Sequence, residues 1–197
     1  VIILISFSHL YNAIFKGKGI LGSIVLPLGI ATMSIFGAVA VSGKVPSILW
    51  YGFFGVFLYD FGAHIATTFK DIELDRSVGI VTTPIQIGVK PALFLSTIAT
   101  IGAFIVFILP YALGKAEPYY LIWVGIAIGA TVVTRFPLLF KQTQENGYIA
   151  LKGAFISELA IYPCLIGIIF SINTTTLIIL IPLFLSSILL EASNQRV

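Results

Sequence analysis

The sequence predicts an all-α, multi-span transmembrane helix bundle, with about seven spans present. Three observations carry that reading. The mean hydropathy is +1.08 over 197 residues, with 58% hydrophobic and only 10% charged, too little polar surface to cover a water-soluble domain. Apolar runs of about twenty residues recur, each long enough as a helix to cross about 30 Å of hydrocarbon. The short alternating segments of a membrane β-barrel are not seen. A formal net charge of +3 says little by itself. Membrane lipids are expected around the chain, and no nucleic-acid partner is.

Residues 1–15 read as the end of a span, followed by the basic turn Lys16-Gly17-Lys18-Gly19. A full span at 20–41 contains Pro27. After a turn at 42–45, Pro46 suits the first position of the next helix, where its missing N–H and fixed φ cost nothing. That helix runs to about residue 69, and 70–90 is the longest polar connection. Further spans are expected at about 91–113, 119–140, 149–170 and 174–190, with breaks at 114–118, 141–147 and 171–173. The chain reads as one transmembrane domain, 1–197, without internal repeats. It opens on Val1 inside an apolar run with no basic leader, so it is expected to be an N-terminally truncated part of a longer protein.

The positive-inside rule tests this parse. If 16–19 is cytoplasmic, Lys16, Lys18, Lys70, Arg76, Lys90, Arg135, Lys141, Lys152 and Arg196 all fall at the inner side, nine against only Lys44 and Lys115 outside. The expected location is the cell membrane, with the active-site loops on the cytoplasmic face. Three minor features read blandly. Cys164 is a packing residue in an apolar run, Gly125 and Gly129 are a helix-packing pair, and the Asn173 sequon lies too close to the membrane to be a glycosylation site.

The stretch from Tyr59 to Gly88 concentrates the chemistry. Asp71 and Asp75 are four apart, so on a helix both carboxylates share a face. Like charges there repel unless a cation lies between them, and oxygen ligands with open geometry suit Mg²⁺, which keeps waters and shares phosphate oxygens. The alternative is a solvated helix end. Asp60, His64 and Thr67 continue the stripe upstream, and ionisable groups within a span usually face a cavity; a structural Asp60–His64 pair is the other reading. Glu158 is a further charge within a span, facing a cavity or bonded to backbone. Lys16, Lys18, Lys70, Arg76, Arg135 and Lys141 are available to neutralise a diphosphate or to anchor lipid head groups. Arg76 is favoured because it follows Asp75. Tyr51, Phe57, Tyr59 and Phe61 offer π faces that would shield a cation, or simply pack.

The segment KDIELDRSVGIVTTPIQIG resembles the second aspartate-rich motif of the UbiA superfamily of intramembrane prenyltransferases. Asp71, Asp75, Arg76, Gly79, Thr82, Pro84 and Gly88 match in order and spacing. Residues 10–41 are similar to the segment joining the family's fourth and fifth spans. The resemblance implies a helical bundle around a cavity open sideways to lipid. It also implies a polyprenyl diphosphate bound through Mg²⁺, ionisation to an allylic cation, and transfer of the prenyl group to an aromatic or lipid acceptor, quinone or archaeal-type lipid synthesis being favoured. Metal and basic residues stabilise the departing diphosphate, while lipid-embedded walls exclude water. The resemblance gives Asp71, Asp75 and Arg76 the catalytic role. Lys70, His64, Asp60, Thr67, Lys16, Lys18, Arg135 and Lys141 are then the candidate substrate contacts.

Two departures matter. The family's first motif, N-x3-D-x3-D, is absent, so no activity is expected of these residues alone. Ala63 and Thr67 stand where many members carry Tyr or Arg, then Lys. The main alternative is a transporter or channel subunit with Asp60, His64 and Glu158 as a polar pathway, which the clustering of charge at one loop disfavours. A CDP-alcohol phosphotransferase would need DGxxAR between its aspartates, which is not present.

Overall fold

A computed structural model describes residues 6–7 and 9–169. The expected span at 174–190, the Asn173 turn, Arg196 and the side chain of Cys164 lie outside the described residues. A π-helical turn, Tyr11–Phe15, precedes seven α-helices: α1 (Ile20–Ser42), α2 (Leu49–Thr67), α3 (Ile72–Ser77), α4 (Thr83–Ile87), α5 (Val89–Ala112), α6 (Tyr120–Phe140) and α7 (Gln144–Ile169). No strand occurs among the described residues.

α1, α5 and α6 are long and apolar enough to cross a membrane. α2 and α7, with 19 and 26 residues, are long enough too, but Asp60, His64, Lys152 and Glu158 dilute their apolarity. The packing explains why α2 tolerates this. It lies against α5, α1 and α7, so its polar groups are screened from lipid by protein. Small residues permit the closeness: a Cβ on Gly62 would lie 2.7 Å from the Ser96 carbonyl, and Ser96 Oγ donates to the Gly62 carbonyl at 2.6 Å. Such small-residue contacts drive helix association where water supplies no hydrophobic force. Phe94, Ile98 and Ile105 on α5, and Val132, Val133, Phe136 and Phe140 on α6, point outward. In water that surface would aggregate; in a bilayer it is the lipid face.

Several boundaries move for local reasons. α2 starts at Leu49 rather than Pro46, whose carbonyl instead accepts the Leu49 N–H at 2.9 Å. Residues 70–90, read as a loop, fold into part of a 3-10 turn (Thr68–Asp71), α3 and α4. Short helical turns satisfy backbone groups that lipid cannot. α7 begins at Gln144, not near 149. Gly125 and Gly129 pack against nothing described: a Cβ on either meets open space, so the expected GxxxG contact is not made here.

The basic turns gather at one end. Lys18 and Val81 form an isolated β-bridge, the Gly19 N–H donates to the Val81 carbonyl at 2.7 Å, and Gly147 packs directly on the Lys70 backbone. At the other end, the Lys115 ammonium lies 5.5 Å from the Tyr51 ring centre, close to the start of α2.

Candidate active site

A cavity of about 280 Å³ opens at the basic end of the bundle, lined by Tyr11, Lys16, Gly17, Gly19, Ser23, His64, Thr67, Lys70, Asp71, Asp75 and Thr82, among others. Each wall has a sequence cause. Thr67 ends α2, and its Oγ1 donates to the His64 carbonyl at 2.9 Å, competing with continued helix. The chain then tightens into the 3-10 turn, which leaves Asp71 at the entry to α3 and Asp75 one turn on. The expected stripe therefore crosses a helix break, yet both carboxylates still face the same cavity.

The opposite wall is the 16–23 segment. Gly19, at φ 58°, takes a conformation that residues with a Cβ rarely adopt. The Ile20 N–H, an orphan donor at the start of α1, reaches Gln86 Oε1 at 2.8 Å. Ser23 Oγ and Thr83 Oγ1 share a buried hydrogen bond of 2.7 Å. These links hold Lys16 and Gly17 over the aspartates.

The electrostatics set two carboxylates against each other. Lys70 forms an ion pair with Asp71. Burial first, and then the Asp71 charge, push the Asp75 carboxyl above its ordinary value, against the opposing pull of Lys70 and Lys16. A cation between the two carboxylates would remove that repulsion. Among the described residues no three or more His, Cys, Asp or Glu side chains converge on a metal position. Two open carboxylates do fit Mg²⁺, which takes few protein ligands and fills its shell with water and substrate phosphate oxygens. Thr82 Oγ1, in this same cavity, is buried without a partner among the described residues, an orphan that a ligand oxygen would satisfy.

The other candidates are distributed differently. Arg76, Lys18 and Lys141 are exposed and outside the cavity lining. Arg135 is buried beside Thr100, to which its Nη1 donates at 2.6 Å, and its guanidinium lies 5.5 Å from the Tyr59 ring centre. Its Nε and Nη2 have no partner among the described residues. Asp60 lies deeper, lining a second cavity with Glu158, rather than pairing with His64. His64 itself meets Tyr11 edge-on, with ring centres 6.2 Å apart. Below them, Tyr59, Thr131 and Ser157 form a buried hydroxyl chain across α2, α6 and α7, with links of 3.3 and 2.9 Å. Tyr11, Ser23, Thr83 and Gln86 escaped the sequence reading. Ser23 and Thr83 are ordinary residues whose importance comes only from meeting each other.

Together, fold and site mark out a class of helical membrane proteins with a paired-aspartate pocket, bordered by Lys16, Lys70 and glycine turns at one end of the bundle. The chain belongs to the UbiA prenyltransferase family, which it matches over residues 1–159. It is 29% identical over 158 residues to the digeranylgeranylglyceryl phosphate synthase of Haloquadratum walsbyi, covering 74% of this chain and 53% of that protein. Likeness to the synthase of the same name from Methanocaldococcus jannaschii is also 29%, over 140 residues, 71% of this chain and 48% of the relative. The Hyperthermus butylicus synthase is 31% identical over 121 residues, 58% of this chain and 40% of its own. The chain thus spans about half the length of the curated relatives it matches. A solved structure described as a digeranylgeranylglyceryl phosphate synthase superposes with a TM-score of 0.71, at 24% identity, over 85% of this chain and 60% of that one, which shows the shared fold.

Proposed function

We propose that the protein containing this chain is a Mg²⁺-dependent membrane prenyltransferase. It moves a polyprenyl group from its diphosphate to a glyceryl phosphate lipid. The observation that carries this is Asp71 and Asp75 converging, with Lys16 and Lys70, on one cavity in a member of this family. The acceptor class follows the names of the relatives.

Asp71 and Asp75 hold the metal, and Lys16, Lys70 and Thr82 contact the diphosphate. Arg76 is exposed just outside, placed to draw in or to release the anion. Bound Mg²⁺ supplies charge that favours the leaving diphosphate. The C1–O bond of the donor breaks, the diphosphate takes the electron pair, and the acceptor hydroxyl closes a new C–O bond and gives up its proton. His64 is the nitrogen base in the cavity wall. The aromatic ring of Tyr11 lines the cavity and offers it a π face. The basic end faces the cytoplasm, as the charge asymmetry implies.

Asp71→Asn and Asp75→Asn should each lower Mg²⁺-dependent transfer by about a hundredfold or more, measured with radiolabelled prenyl diphosphate and the natural full-length protein. Unchanged turnover and unchanged Mg²⁺ dependence in both would refute the assignment. Residues 1–197 hold a single aspartate pair of this kind, so they should show no transfer when assayed alone.

A further inference from the structure

Lys70 has two seats for its charge. The ammonium pairs with the Asp71 carboxylate, and it also lies 5.7 Å from the ring centre of Tyr148, within the range of a cation–π contact. Its backbone is clamped: Gly147 packs on it so closely that a Cβ there would lie 2.7 Å from Lys70 Cα. The Tyr148 segment is held as well. Asn146 Nδ2 donates to the Lys141 carbonyl at 2.7 Å and to the Pro137 carbonyl at 3.3 Å, which ties the first turn of α7 to the end of α6. Between these walls the four-carbon stem of Lys70 is the part able to turn. Lys70 borders the aspartate cavity, whereas Tyr148 stands outside its lining.

We propose that Tyr148 is a positioning residue: its ring is the seat Lys70 takes on leaving Asp71, and it thereby sets how readily Asp71 is freed to hold a divalent cation. The proposal rests on the prenyltransferase reading above and adds a residue to it. The ammonium and a metal compete for one carboxylate. While Lys70 sits on Asp71, the two aspartates offer a cation one open carboxylate rather than two. Leaving Asp71 for water forfeits the whole ion pair. Leaving it for a π face recovers part, because the ring quadrupole attracts an ammonium without carrying a formal charge. The ring is the weaker seat, so Lys70 rests on Asp71 until a doubly charged competitor takes that carboxylate.

Two features separate this role from packing. The ring acts through its face, so phenylalanine serves as well as tyrosine while an aliphatic side chain does not. It also acts only through the Lys70 charge, so it has no effect on metal binding once that charge is gone.

The test titrates Mg²⁺ into the natural full-length protein, reading both the rise in Tm without substrate and transfer from a radiolabelled prenyl diphosphate. Tyr148 is 46% exposed, so Tyr148→Leu should fold. It should raise the half-saturating Mg²⁺ concentration about threefold to fivefold, the worth of one exposed cation–π contact. Tyr148→Phe should keep the wild-type Mg²⁺ dependence. In a Lys70→Met background, where no ammonium competes, adding Tyr148→Leu should move the Tm titration by less than about twofold. An unmoved titration in Tyr148→Leu overturns the proposal. So does a Tyr148→Phe protein that behaves like Tyr148→Leu, which would place the effect in the hydroxyl. A full shift in the Lys70→Met background overturns it too, because a packing role gives that result. If Lys70→Met does not fold, the comparison of Tyr148→Leu with Tyr148→Phe decides alone. A wild-type protein that ignores Mg²⁺ in both readouts refutes the metal-dependent prenyltransferase reading itself, a different result from a titration that Tyr148→Leu leaves in place.

Discussion

Gly147→Ala is a sharp test of how the site is held. Gly147 is buried near the start of α7, and a Cβ there would lie 2.7 Å from Lys70 Cα, where ordinary contact begins near 3.4 Å. The Lys70 segment must therefore retreat by about 0.7 Å. Two effects on stability oppose each other. Alanine improves helix propensity by up to about 1 kcal/mol, while overpacking costs about 1–3 kcal/mol. The net loss is small, about 0–2 kcal/mol. Activity should suffer far more, because Lys70 and Asp71 move with that backbone, and a 1 Å misplacement of reacting groups costs about a hundredfold. The assay pairs Mg²⁺-dependent prenyl transfer with thermal unfolding in the same detergent. Gly125→Ala and Gly129→Ala, whose Cβ positions meet nothing among the described residues, are controls that should retain both properties. Wild-type turnover in Gly147→Ala would show that the 70–71 turn is not held by this contact, and the reasoning would fail.

Asp75 gives a pH dependence with a definite sign. Its folded-state carboxyl is raised by burial and by Asp71, so without metal it stabilises at low pH, and that contribution fades as pH rises through the raised value. Mg²⁺ needs the ionised form, so the rise in Tm on adding Mg²⁺ should grow with pH and vanish on acidification above the usual aspartate range; Asp71→Asn, which removes one of the two ligands, should abolish the rise at every pH. Ser23→Ala leaves the fully buried Thr83 hydroxyl unpaired and should cost about 1–3 kcal/mol by thermal unfolding. Adding Thr83→Val should cost less than the sum of the single changes. For orientation, cysteines placed at Lys18 and Lys44 should label from opposite sides of sealed vesicles, with the position-18 thiol reached only from the cytoplasmic side; equal access would remove the topology.

The helical membrane class, most of the span positions and the paired aspartates were all legible in the sequence. Hydropathy is a property of each residue in turn, and the four-residue spacing of Asp71 and Asp75 survives the 3-10 turn because the step from 71 to 75 runs through α3, where such positions share a face. The motif from Asp71 to Gly88 is likewise local. What only the tertiary structure decided is which distant groups meet. Arg135 looked equivalent to Lys16 as a partner for a diphosphate, yet α6 carries it beside Thr100 and Tyr59, while a glycine turn carries Lys16 over the aspartates. Spacing suggests that Asp60 faces a cavity and leaves a pair with His64, one helical turn on, as the other reading; α7 brings Glu158 to the same cavity as Asp60. Spacing along one helix states which residues share a face. Which face meets which neighbour depends on small residues such as Gly62, Gly147 and Ser96 letting helices approach, a pairwise property that no single segment contains.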